Sequence, residues 1–437
     1  MNKKNYFFVN FRQVIFLVSL IILSCSLPLS SCTPFNVNGS TQNRVELTLW
    51  HGINPPPNRE VFQELVNQFN ENHQNIKVNP IYIGQPDGQL PKILTAFVGD
   101  VPPDMLWFVP QLTGKLVDLG AIRSLDDWFN ESPLKDEIEP VLLESMELNG
   151  HIWSIPFGTN NAGVFYRPSL FEEAGIETIP ETWDELEETA EKLTKDFDED
   201  GRIDQHGMFL SLGKGEWTVF TWLPFVYSAN GQLLSDNGQP NLVNSGAISA
   251  LEFGSNLVKN NWAVLSAPER GYELDNFLSG DVAMQVTGPW TLGQLSDTEI
   301  DYDVFPFPKK EQQAAVVGGE NLFVFKTDSK REKACFEFLE YVLSEEFQTE
   351  WALQTGYLPV NVKSKQSKRY QEFVEDNPVL EVFLKQMEVS KVRPIIPNYN
   401  RLSENFGRAI EASLLREKEP KSALEESQQR LDFIFND

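Results

Sequence analysis

Glu46-Leu47-Thr48-Leu49-Trp50 and Asn75-Ile76-Lys77-Val78-Asn79-Pro80-Ile81-Tyr82-Ile83 bound the stretch that decides the fold class. The first alternates in the manner of a strand and the second reads as its partner. Between them, His51-Gly52-Ile53-Asn54-Pro55-Pro56-Pro57 is a turn punctuated by glycine and proline. Val61, Phe62, Leu65, Val66 and Phe69 then fall on one stripe at helical spacing. Strand, helix and strand in this order indicate a parallel α/β lobe.

Working outward, Val101-Pro102-Pro103-Asp104-Met105-Leu106-Trp107-Phe108 reads as a further short buried strand. Ile155-Pro156-Phe157-Gly158-Thr159-Asn160-Asn161-Ala162-Gly163-Val164-Phe165-Tyr166 is extended, glycine-punctuated and polar at its centre. A strand running between two lobes would have that character, and residues 302–307 form a second extended stretch of the same kind. Thr182 and Glu185 have capping-box spacing and predict a helix start. Helical periodicity returns at residues 336–343, 373–387, 402–415 and 423–435, so the C-terminal quarter reads as mostly helical. A chain of 437 residues is too long for one core and predicts two domains.

The N-terminus reads as an export signal. Lys3, Lys4 and Arg12 precede an apolar run at residues 14–23, broken only by Ser19, and Leu29-Ser30-Ser31-Cys32 follows. The run is shorter than the ~20 residues of a membrane span. The order resembles a bacterial lipoprotein signal over residues 1–31, with Cys32 as the lipidated new N-terminus and residues 32–43 as a polar leash. Cys25 is a second candidate acceptor, and simple cleavage without lipid is the other alternative. Removing residues 1–31 takes away three basic residues and no acid, moving the formal charge from −27 to −30. Such a surface disfavours nucleic acid and anionic lipid. Beyond Cys32 the only thiol is Cys335, in an apolar helical pattern, which excludes an internal disulfide in the body.

Seven segments in fixed order carry a resemblance. They are Leu49-Trp50-His51; Pro103-Asp104-Met105-Leu106-Trp107; the 155–166 crossover; Pro180-Glu181-Thr182-Trp183-Asp184-Glu185-Leu186; Gly280-Asp281-Val282-Ala283-Met284-Gln285-Val286-Thr287-Gly288-Pro289-Trp290; Val317-Gly318-Gly319-Glu320-Asn321; and Thr355-Gly356-Tyr357-Leu358-Pro359. Together they resemble the extracellular solute-binding proteins of sugar ABC importers (family 1), the group similar to maltose-binding protein. The resemblance implies an α/β, two-lobed periplasmic-binding-protein fold of type II with crossover hinge strands. Residues 44–156 and 314–358 would form the N-lobe, and 157–313 and 359–437 the C-lobe. It also implies capture of a neutral mono- or oligosaccharide, or a sugar-derived compatible solute, in an interlobe cleft. Delivery would be to a membrane permease by an exported, envelope-anchored monomer that needs no cofactor.

A sugar site needs aromatic rings for C–H faces and hydrogen-bonding side chains for hydroxyl edges. Trp290 follows the rigid Gly288-Pro289 turn at a strand end, and by resemblance it stacks on a sugar ring. Trp217, ahead of the apolar 219–226 run, matches the second lobe's other ligand loop, whereas Trp222 inside the run reads as core. Asn160 and Asn161 stand at the centre of the crossover, where ligand hydroxyls or neighbouring backbone would satisfy their amides. Trp50, His51 and Gln111 follow strand ends and would face the cleft in the family pattern. Gly319, Glu320 and Asn321 combine a close-approaching backbone with polar side chains. Tyr399 and Arg401 lie near the family's C-terminal ligand contact. Ser403 stands where maltose-binding protein has a stacking tryptophan, which puts a maltodextrin preference in doubt.

Asp196, Asp198, Asp200 and Asp204 occupy positions one, three, five and nine of a Ca²⁺-type loop with Gly201 at six, but Gly207 replaces the closing acid at twelve. A structural Ca²⁺ and an acidic turn are both compatible with this pattern. No Gly-x-Ser-x-Gly, His-Glu-x-x-His or phosphate-loop motif occurs, so the chain reads as a binder and not an enzyme. A secreted glycoside-acting enzyme and a binder of polyamine or another small solute are the alternatives. An Asp/Glu-dominated pocket would favour polyamine, while Trp, Tyr, Asn and Gln favour neutral sugar.

Overall fold

The computed structural model describes residues 44–267, 274–296 and 298–435. The leader, the leash and Cys32 lie outside them. Among the described residues twelve strands organise the body: β1 (Val45–His51), β2 (Ile76–Tyr82), β3 (Met105–Phe108), β4 (Ser154–Asn160), β5 (Gly163–Tyr166), β6 (His206–Leu210), β7 (Ala263–Leu265), β8 (Val282–Thr287), β9 (Asp303–Phe305), β10 (Ala315–Val316), β11 (Gly318–Val324) and β12 (Ser390–Lys391). A short hairpin, Glu147–Leu148 with His151–Ile152, lies beside them.

The first sheet has the order β2-β1-β3-β11-β4. β1 runs parallel to β2 and β3, and β11 is antiparallel to β3 and β4. Helix Pro56–Asn72 joins β1 to β2 and buries Phe62, Leu65, Val66 and Phe69 on the expected stripe. Asp104 fastens β1 to β3 from the side. Its buried carboxylate accepts from Thr48 N at 2.7 Å and from Arg331 Nε and Nη2 at 2.6 and 2.5 Å, so the ion pair also ties helix Ser329–Leu343 to the sheet.

The second sheet has the order β9-β5-β8-β6-β7. Its core takes Trp183, Leu186, Ala190 and Leu193 from helix Trp183–Leu193, which begins with the expected capping box: Glu185 N donates to Thr182 Oγ1 and Thr182 N to Glu185 Oε2. Trp222 is buried in this core, and helices Tyr399–Leu414 and Pro420–Phe435 close it. The helical run expected at 373–387 is two helices, Lys368–Asp376 and Val379–Gln386, because Pro378 disfavours helical backbone at Asn377.

The two mixed sheets with their helices are the lobes of a type II periplasmic-binding-protein fold. The chain changes sheet at Asn161-Ala162, later than the 156/157 division expected from sequence, because β11 pairs with β4 as far as Asn160. Residues 302–307 are not themselves the second crossing. Asp303–Phe305 is an edge strand of the second sheet, and the chain returns to the first between Phe305 and Gly318. Around these crossings a third apolar cluster joins Phe165 and Val304 of the second sheet to Ala352, Leu358, Tyr370 and Phe383.

Candidate functional site

A cleft of about 450 Å³ lies between the two sheets, within the usual range for small-molecule sites. The second lobe supplies an aromatic corner. Trp217 and Trp290 meet edge to face at 5.6 Å and 78°, and Phe220 lies 5.9 Å from the first and 6.3 Å from the second. Gly288 is required here, since a Cβ would fall 2.1 Å from the Trp290 ring. Tyr82 and Trp107 line the first-lobe side, and Asn160 with the Gly318-Gly319-Glu320 backbone lines the crossover side. Gly319 has φ +107°, and a Cβ would strike the Gly158 carbonyl at 2.1 Å, so this backbone approaches closely only as glycine.

One charged network underlies the aromatic corner. Glu216, in the first turn of helix Glu216–Ser228, accepts from Arg393 Nη1 at 2.5 Å, from Tyr399 OH at 2.8 Å and from Ser403 Oγ. Arg393 is buried, lines the cleft and packs its guanidinium 5.0 Å over Phe220. Burial, followed by the Glu216 charge, pushes the Tyr399 phenol well above its ordinary range, so it remains a donor at any physiological pH. Burial and then Glu320 do the same to Tyr357, which also lines the cleft.

The cleft thus brings together Asn160, Trp217, Trp290, Gly319 and Glu320 from the residues expected by sequence. The others lie elsewhere. Trp50 packs on the Leu106, Phe108 and Phe323 cluster, because the two-residue period of β1 sends it away from the side of Leu47 and Leu49. His51 is buried, 5.2 Å from Phe62 and 5.8 Å from Tyr82. Burial, then the nearby Arg59 charge, lowers its pKa to about 4. Asn161 is held within the crossover: its Nδ2 donates to Phe383 O at 2.9 Å and its Oδ1 accepts from Gln386 at 3.0 Å. Asn321 Nδ2 donates to Ser145 O and Ser154 Oγ, and Asn321 lines with Gln111 a separate void of about 10 Å³, room for about one water. Tyr399 supports Glu216 from outside the cleft lining, and Arg401 is half exposed beside Glu404.

Sequence reasoning missed Glu216, Arg393, Tyr82, Phe220 and Tyr357, and passed over Trp107 as a strand residue. Glu216 adjoins Trp217 in Gly215-Glu216-Trp217, so a signal was available there. Arg393 in Val392-Arg393-Pro394 has no local pattern that marks it.

In the acidic loop, Asp196, Asp198 and Asp204 each bring a carboxylate oxygen within 4.8 Å of the others. Asp200 is outside this group, its Oδ1 accepting from Arg202 N at 2.8 Å. Asp196, Asp198 and Asp204 each accept from loop backbone, from Gly201 N, Asp200 N and Phe197 N respectively, so the three carboxylates are oriented by the turn itself.

The chain is similar to the maltotriose-binding protein of Pyrococcus abyssi, at 24% identity covering 86% of this chain and 79% of that protein. It is also similar to the sn-glycerol-3-phosphate-binding periplasmic protein UgpB of Escherichia coli K12, at 26% identity over 80% of this chain and 82% of that one. Among solved structures, an ABC transporter solute-binding protein of Thermotoga lettingae bound with α-D-tagatose shares the fold, with a TM-score of 0.79 at 23% identity, covering 89% of this chain and 99% of that chain. The family model described as bacterial extracellular solute-binding protein matches residues 64–378. That match spans most of the body, the whole of the second sheet and all of the first but β1, and the chain belongs to the bacterial extracellular solute-binding protein family, whose members are exported, non-catalytic binders.

Proposed function

We propose that this protein is the substrate-binding component of an ABC importer, capturing a neutral mono- or oligosaccharide, or a sugar-derived solute, between its lobes and delivering it to a membrane permease. The observation that carries this reading is the Trp217–Trp290 corner opening on a cleft that also holds Asn160. Two orthogonal indoles present faces for sugar C–H groups, and the amide offers both a donor and an acceptor to hydroxyls. Similarity to a maltotriose-binding relative and to a tagatose-bound structure supports the sugar class.

The UgpB-type relatives raise a phosphorylated ligand as a second reading. The charges lining the cleft weigh against it. Arg393 is the one Lys or Arg in the described lining and is paired with Glu216, while Asp275 and Glu320 add two further carboxylates. A phosphate would meet more like charge than opposite charge. Calorimetric titration with mono-, di- and trisaccharides, sn-glycerol 3-phosphate and spermidine separates the readings. Saturable binding of a neutral sugar supports ours, and binding of the phosphate or the polyamine alone overturns it.

Attachment through a lipid on Cys32 belongs to the same proposal and would hold the binder beside its permease. So does a structural Ca²⁺ held by Asp196, Asp198 and Asp204, with remaining oxygens from backbone or water, as a hard cation requires.

A further inference from the structure

Arg59 stands out against the charge balance of the chain. Among 63 acidic residues and a net charge of −27, it is a half-buried cation that pairs with no carboxylate among the described residues, and its buried Nε has no hydrogen-bond partner. Its guanidinium carbon instead lies 4.1 Å from the centroid of the Tyr82 ring. Tyr82 ends β2, is 41% exposed and lines the cleft, whereas Arg59 does not line it. The charge therefore sits behind the ring, covering one face of Tyr82, while the tyrosine itself borders the cleft. His51, tilted against the same ring at 5.8 Å, is buried and adds no charge at neutral pH.

An exposed aromatic ring ordinarily attracts cations to its face. Here that preference is already taken up by a cation within the protein. A second positive charge on the free face would lie roughly 8 Å from the guanidinium, two ring-to-cation distances of about 4 Å each. At the effective dielectric of a partly buried site this repulsion disfavours a singly charged ligand by on the order of tenfold. A neutral C–H face meets no such opposition and retains the packing contact. The effect runs against the acidic lining, which by itself would favour cations.

We propose that Arg59 is a specificity-determining positioning residue, which holds Tyr82 as a platform for uncharged ligand and excludes cations that the acidic cleft would otherwise admit. The proposal rests on the sugar-binding reading above.

The test compares wild type with Arg59→Met, which keeps the apolar stem, and Arg59→Lys, which restores the charge. The neutral probes are maltotriose and N-acetylated chitotriose, and the cationic probes are spermidine and fully deacetylated chitotriose. Titration calorimetry gives each affinity, and the melting temperature of the unliganded proteins reports folding. Arg59→Met should shift the ratio of cationic to neutral affinity towards the cation by about tenfold, and Arg59→Lys should return it to within a few-fold of wild type. An unchanged ratio in Arg59→Met, or no detectable cation binding in that variant, would overturn the proposal, as would an equal shift in both variants. Failure of the sugar reading is distinct: wild type would then bind none of the neutral sugars.

Discussion

Gln386 Nε2 donates to Asn161 Oδ1 at 3.0 Å while Asn161 Nδ2 donates to the Phe383 carbonyl at 2.9 Å, so the first crossover and the last turn of helix Val379–Gln386 hold each other reciprocally. The same Gln386 amide donates to Ala162 O at 3.0 Å, and its Oε1 accepts from Phe307 N at 3.1 Å. One buried side chain thereby joins the two segments that pass between the lobes. Gln386→Leu should destabilise the protein by roughly 2–4 kcal/mol, because three partners on two segments lose their hydrogen bonds in a dry site. Urea unfolding measures this. A cost below about 0.5 kcal/mol would show that the crossings are held by the Phe165–Phe383 cluster alone.

Trp290→Ala should weaken binding of the sugar found by titration by ~1 kcal/mol or more. The indole also packs against both lobes' cores, so some loss of melting temperature accompanies it. The decisive readout is affinity measured well below the melting transition. Unchanged affinity with lowered stability would make Trp290 a structural residue.

Acid should destabilise the fold through His51. Its folded pKa, about 4, is depressed below the ordinary imidazole value of 6.5 by burial and then by Arg59, so below 6.5 the unfolded chain binds the proton more readily. This group therefore opposes unfolding fully above pH 6.5, and that contribution, roughly 3 kcal/mol at most, is lost as pH falls towards 4. In His51→Gln the dependence of urea-unfolding free energy on pH between 4 and 6.5 should be flatter than in wild type. Parallel curves would place the acid sensitivity elsewhere.

Millimolar Ca²⁺ should raise the melting temperature relative to chelator in wild type, since an ion bound only by the folded loop stabilises by mass action. The shift should vanish in Asp198→Asn. A shift that survives in this variant would place the ion outside the loop, and its absence in wild type would leave the segment an acidic turn.

Much of the fold was legible because it rests on local periodicity. The Phe62–Phe69 stripe and the Thr182–Glu185 cap are patterns within a few residues, and both recur in the structure. Site residues were legible where a strand-end motif marks them, as with Gly288-Pro289-Trp290 and Gly318-Gly319. Asn161, Asn321 and Tyr399 carry the right chemistry for a ligand, but their partners are Phe383, Ser145 and Glu216, all distant in sequence. Whether a polar side chain faces a cleft or a neighbouring segment is settled by such long-range contacts, to which local pattern is blind. Arg393 was missed for the same reason.

The Glu216 network has a consequence for the order in which the molecule becomes competent. Its acceptor lies mid-chain, but its donors are Arg393, Tyr399 and Ser403. All three lie beyond residue 378, where the family match ends. A polypeptide delivered N-terminus first can pair every strand of the first sheet and still lack the cation beneath its aromatic corner. A stop codon just after residue 378 would leave every strand of both main sheets encoded, yet remove Arg393 from the cleft lining and all three of these donors to Glu216. In such an architecture, the floor of the aromatic corner is the last part of the cleft that the growing chain supplies.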